Sequence, residues 1–211
     1  MLKKEKYDGF FGGLYKRNET YLMLSTTITL VSILLGFAFA GILSPLLGSI
    51  FSDLKRQVVT GQIKLTTFSI FTNNLQVALV IYGGGLLFGT VTAGWLFMQG
   101  LFIGYAGTQF SLGDYIIFTI PHGIPEILGL IIAGAGGFRL ASCVLHIFQG
   151  LTHMRSDISR RNQFNFIIEL NIDEFWESLK LLVIAVIFLL VAAFIEANLT
   201  IPWGTFIKSV I

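Results

Sequence analysis

Few residues in this chain can hold or move a charge in an apolar setting. Between positions 65 and 138 the only charged residues are Asp114 and Glu126, and the only histidine is His122. His122 lies in the run Pro121-His122-Gly123-Ile124-Pro125-Glu126. Proline removes a backbone donor and distorts helix geometry, so Pro121, Gly123 and Pro125 predict a helix break. Broken backbone at membrane depth persists only where it is buried in protein or faces a water-filled cavity. An ionisable group at such a place is a functional-site candidate. Plainer roles stand beside that one. Pro125 can open a helix, with Glu126 as the carboxylate favoured in a first turn, and His122 can be a hydrogen-bonded core residue.

Asn73, Asn74 and Glu196 join His122 and Glu126 in a proposed polar intramembrane cluster. Three chemistries could use it. One histidine with two glutamates can bind zinc and activate water. His-Glu-x-x-His is missing, however, and a break at Pro125 would leave the His122 to Glu126 relation unfixed. A proton or ion relay needs groups along a path, whereas these share one depth. A polar latch between broken helices needs hydrogen bonds alone. The sequence therefore favours the latch, with no catalytic residue, no cofactor and no metal. His122, Glu126 and Glu196 are the candidates should a metal be held.

The elements that must position these groups are apolar. The 211 residues are 54% hydrophobic and 12% charged, half the usual charged share of a soluble domain, which is about 25%. With a mean hydropathy of +0.78, this predicts an all-α polytopic membrane protein forming one membrane domain. About five spans are expected, near 21–43, 66–88, 92–110, 115–138 and 175–198. The fourth is broken at Pro121 and Pro125. Residues 1–19 carry Lys3, Lys4, Lys6, Lys16 and Arg17 and read as a basic interfacial segment. Residues 46–62 and 138–150 read as amphipathic interfacial helices. Residues 1–21 are too polar, and 21–43 too long, for a cleaved signal peptide. Cys143 is alone, which excludes an internal disulfide or a cysteine metal cluster.

Gly85/Gly89 and Gly100/Gly104 have the small-xxx-small spacing that lets membrane helices approach closely. Packing within the chain, between antiparallel neighbours joined by a short turn, is the expected use. With five spans the basic residues divide ten against four. The larger share lies on the side of the N-terminus, which is then cytoplasmic in a multi-pass cell-membrane protein. That topology puts Asn73, Asn74, His122, Glu126 and Glu196 at similar depth in the outer half of the bundle.

The ordered blocks Asn73-Asn74, residues 83–94, Met98-Gln99-Gly100 with Gly104, Pro121-His122-Gly123 with Glu126, residues 131–140, and Ile195-Glu196-Ala197 with Thr200 and Pro202 resemble the stage II sporulation protein M family. Gln99, where the family often has asparagine, and Ile201, between Thr200 and Pro202, depart from its pattern. The resemblance covers the chain from about Tyr21. It implies a five-span membrane protein whose namesake acts as a membrane scaffold, with two partners that degrade peptidoglycan. The expected function is a scaffold or assembly protein in envelope remodelling, more a non-enzyme than an enzyme. Its expected partners are the lipid bilayer, other membrane or envelope proteins and further copies of itself, without nucleic acid. A small-solute or ion transporter or channel is the alternative, and an intramembrane metal-dependent hydrolase a second.

Overall fold

The computed structural model describes residues 9–62, 65–154 and 159–210. Lys3, Lys4, Lys6, Lys64 and Arg155 lie outside them. The described residues form an all-α bundle without a strand: α1 (Phe10–Ala38), α2 (Ala40–Val59), α3 (Thr67–Gly83) continued by a short 3-10 turn (Gly84–Leu87), α4 (Thr90–Gly107), α5 (Leu112–Thr152), α6 (Arg160–Asn198) and α7 (Thr200–Val210). By length and composition four segments can cross a membrane: α1, Thr67–Leu87, α5 and α6. The 18-residue α4 is not one of these, yet it runs back alongside α3 and packs most extensively against α1.

Local chemistry sets the ends. Thr66 and Ser69 form a reciprocal capping box at the start of α3. The Ser111 hydroxyl accepts from the Asp114 amide at 3.2 Å and opens α5. Between α3 and α4 the chain reverses through two left-handed residues, Phe88 (φ 56°) and Gly89 (φ 78°). The glycine suits that conformation because it has no Cβ to clash.

Several boundaries differ from expectation. Pro121, Gly123 and Pro125 do not break α5, which is one helix of 41 residues with both prolines inside it. The prolines deprive only the carbonyls of Ile117 and Pro121 of their helical donors. Opening the chain would strand more backbone groups where no water can serve them. The separate surface helix expected over 138–150 is the continuation of α5. The span expected over 175–198 belongs to a 39-residue helix that begins at Arg160. Residues 10–19 of the expected surface segment and 21–38 of the expected first span share a single helix from Phe10 to Ala38. The first reversal comes at Phe39, not at Ser44-Pro45. The Phe39 amide donates to Leu35 O and its carbonyl accepts from Ile42 and Leu43, so backbone bonding continues through the turn into α2. Pro45 then sits within α2.

Close backbone approach holds these helices together. A Cβ at Gly36 would overlap the Leu101 backbone, one at Gly100 the Ser32 side chain, and one at Gly104 the Ile33 carbonyl. Gly100 and Gly104 therefore pack within the chain, but against α1 and not against the adjacent α3. Gly85 meets the Gly137 backbone of α5, and Gly89 meets Phe138 and Ala141. Hydroxyls bridge the same contacts: Ser25 donates to Ile131 O (2.7 Å) and Thr92 to Ile81 O (2.7 Å). Overpacking a core ordinarily costs ~1–3 kcal/mol. Gly100→Leu must displace a neighbouring helix, so its cost should reach the top of that range. The expected outcome is loss of the monodisperse folded monomer in detergent, read by size exclusion and thermal melting. A folded monomer that has only lost self-association would contradict this packing.

Candidate functional site

Continuity of α5 has a direct geometric result. His122 and Glu126 are four residues apart on an unbroken helix and so share one face. Glu196, near the end of α6, completes the group. One ligand atom from each of His122, Glu126 and Glu196 can be chosen so that all three lie within 4.8 Å of one another. They edge a cavity of about 650 Å³ bounded by α3, α4, α5 and α6. Asn73, Asn74 and Gln99 supply the remaining polar lining, and Leu54 and Val58 of α2 close over it. The Leu47 side chain, buried with Leu101 and Tyr105, and the Phe51 ring against Phe102, Tyr105 and Phe110, seat α2 there.

His122 is oriented by a residue that the polar cluster of the sequence did not include. Its Nδ1 lies 3.2 Å from the Thr200 hydroxyl at the start of α7. That hydroxyl donates to Ile195 O (3.3 Å), so toward the ring it acts as acceptor. That arrangement favours the tautomer with its proton on Nδ1, which leaves Nε2 with its lone pair. α7 is itself fastened to α5. Lys208 forms an ion pair with Asp114, and Gly204 lies so close to the Phe118 ring that a Cβ would overlap it. The sequence signals for Thr200 are its place four residues after Glu196 and its part in the block that carries the family resemblance.

Asn74 is buried and lines the cavity, while Asn73 is exposed. The expected latch, with Asn74 donating to the acids, does not form. Among the described residues neither the Glu126 nor the Glu196 carboxylate has a hydrogen-bond donor or a cationic side chain beside it. The cavity holds the amides away from them. The arrangement is two facing carboxylates and one imidazole around an open space, which suits a proton, a cation or a metal ion.

A second polar centre lies at the other end of the bundle. Glu177 of α6 is buried and accepts from Arg17 (2.9 Å), Asn18 (3.0 Å) and Lys180 (3.1 Å). Arg139 pairs with Glu174 at 3.7 Å and lies 5.5 Å from the centre of the Tyr21 ring. His146 contacts the same Glu174 at 3.0 Å. These contacts tie α1, α5 and α6 together, although Asn18 Oδ1 and Arg139 Nε are buried without a hydrogen-bond partner. Nothing in the apolar periodicity marks Glu177 as buried, which is why the sequence did not single it out.

The missing donors at Glu196 fix the sign of one substitution. Because no protein donor serves this carboxylate, Glu196→Gln leaves nothing unsatisfied and removes one of two facing charges. In metal-free protein, at a pH alkaline enough to ionise both carboxylates, the variant should melt higher by about 2–4 °C for each ~1 kcal/mol of repulsion relieved. Scanning fluorimetry in detergent reads this directly, and a lower melting point would mean that the carboxylate has a stabilising partner in the protein.

The chain matches the family described as Stage II sporulation protein M over residues 25–201, which takes in all five residues of the expected cluster as well as Thr200. Two uncharacterized proteins of Methanocaldococcus jannaschii are similar to it. One is 30% identical over 185 residues, covering 85% of this chain and 96% of that protein. The other is 27% identical over 132 residues, covering 63% of this chain and 54% of its own length. No solved structure matches. With a family match spanning most of its length and a relative that agrees almost end to end, the chain belongs to the stage II sporulation protein M family of membrane proteins.

Proposed function

We propose that this protein is a membrane scaffold that works in envelope remodelling through partner proteins, which dock on the hairpin formed by α5 and α6. The observation that carries the reading is the length of that hairpin. At 1.5 Å per residue, helices of 41 and 39 residues are each about 60 Å long, about twice a ~30 Å hydrocarbon core. Their near ends lie level with α3 and α7, through the Asn198 amide donating to Thr67 and the Lys208 to Asp114 pair. The surplus length extends on the side where α1 begins, the side expected to be cytoplasmic. α5 and α6 make the most extensive helix contact in the described chain, and the Arg139, His146 and Glu174 contacts brace it. The resulting arm presents Phe166 (64% exposed) and Leu170 (69% exposed) on its surface. Large apolar side chains held beyond the hydrocarbon by a rigid stem support a protein contact.

A photocrosslinking residue at position 166 or 170, in native membranes, tests the reading. The expected product is a discrete adduct with an envelope protein, reduced at least tenfold by Leu170→Glu and retained with Glu196→Gln. Adducts with lipid alone would contradict it. A second reading, a carrier or channel for a small solute or ion, draws on the polar cavity between α3 and α6. Solute flux into liposomes containing the purified protein, together with no envelope adduct, would favour it.

A further inference from the structure

We propose that His122, Glu126 and Glu196 form a binding site for a first-row divalent cation of the zinc class, held by one imidazole nitrogen and two carboxylate oxygens. The site stands apart from the docking role of the arm and rests on the cavity alone.

Four observations converge. The three ligand atoms come from two helices and lie within 4.8 Å of one another. Zinc to nitrogen and oxygen distances of about 2.0–2.1 Å place tetrahedral ligands roughly 3.3 Å apart, a contraction that side-chain rotation of the two glutamates can supply. The carboxylates face each other with no donor and no cationic side chain among the described residues. Two such charges in an apolar bundle are strongly unfavourable without a neutralising partner, and a dication between them provides one. His122 is prepared as a ligand: Thr200 holds Nδ1–H, and Ile195 O holds Thr200, leaving the Nε2 lone pair available. A hydrogen bond on the opposite ring nitrogen is the usual orienting device for a metal-bound histidine.

The fourth observation concerns the open side. The cavity of about 650 Å³ continues past the three residues to the amides of Asn73, Asn74 and Gln99. Three protein ligands with free space beside them match an open site, in which water or a small molecule takes the remaining position. The donor set narrows the ion. One nitrogen and two oxygens without sulfur disfavour copper(I), and an imidazole ligand disfavours calcium and magnesium, which leaves the divalent first-row ions, zinc among them.

The test uses the full chain purified in detergent, stripped with chelator, then loaded with zinc or with cobalt(II) as a coloured probe. One equivalent of zinc should remain after gel filtration, and cobalt(II) should give ligand-field absorption that zinc abolishes. Glu126→Gln and Glu196→Gln should each weaken zinc binding at least 100-fold. Thr200→Val, which releases the histidine and the Ile195 carbonyl while leaving all three ligands in place, should weaken it about 10–100-fold in protein that still folds. If the glutamine variants fail to fold, the cobalt(II) spectrum and zinc stoichiometry of the unsubstituted protein decide alone. Less than stoichiometric zinc would overturn the proposal, as would equal binding by folded variants, which would place the metal elsewhere. A carboxylic-acid infrared band that zinc does not displace, and that Glu196→Gln removes, would overturn it in favour of a proton shared by the two glutamates.

Discussion

Backbone-to-backbone contact along the small-residue face of α5 is the constraint on which the remaining structure depends. Within a bilayer, lipid tails are as apolar as leucine, so helices gain little by hiding apolar side chains from one another. Close approach, interhelical hydrogen bonds and dispersion must hold the bundle. On α5, Gly129 meets Leu189 and the Ala185 carbonyl of α6, Gly134 meets Ser25 of α1 and Leu96 of α4, and Gly137 meets the Ile81 carbonyl and Thr92. Ala133 and Ala135, between them, are fully buried. One helix thereby fixes the distance and rotation of α1, α3, α4 and α6 together.

That arrangement explains where the polar cavity lies. The crowded glycine face occupies the middle of α5, and the stretch around Gly123 is more open, where a Cβ would meet only Thr119 of the same helix. His122 and Glu126 project from this less crowded stretch, one turn from each other. Glu196 arrives at the same level because α6 is locked in register by Gly129 and by the Tyr82 to Ser178 contact of 3.0 Å. α7 then folds back at Thr200 and clasps the entrance side of α5 through Gly204 and Lys208. The charged residues thus separate into two classes. Glu177 and Glu174 have basic partners and act as fasteners. Glu126 and Glu196 have none, and that difference marks them as a site.

Much of this was legible before any coordinates. Composition and hydropathy specify an all-α membrane protein. The α3 and α4 boundaries follow from the turn signals near Gly89, and the topology argument places His122, Glu126 and Glu196 at one depth. What the sequence obscured has two physical causes. Proline and paired glycine are helix breakers in water, where a freed backbone group finds solvent. In a packed bundle the same residues stay helical, so Pro121, Gly123 and Pro125 lie inside an unbroken α5. Partner choice is the other cause. Spacing shows that Gly100 and Gly104 can receive a helix but not which one, and the short turn pointed to α3 when the partner is α1. Likewise, depth alone cannot say whether Asn74 reaches the acids or merely faces them across a cavity.

The central claim is that an unbroken α5 places Glu126 against Glu196. A pairwise chemical ruler measures this most directly. In a Cys143→Ser background, with cysteines replacing Glu126 and Glu196, oxidation or a short bifunctional thiol reagent should yield an intrachain product. Partial proteolysis between α5 and α6 should then leave the two fragments covalently joined. If the fragments separate, or if cross-linking occurs only between chains, Glu126 and Glu196 do not meet and the site dissolves into unrelated polar residues.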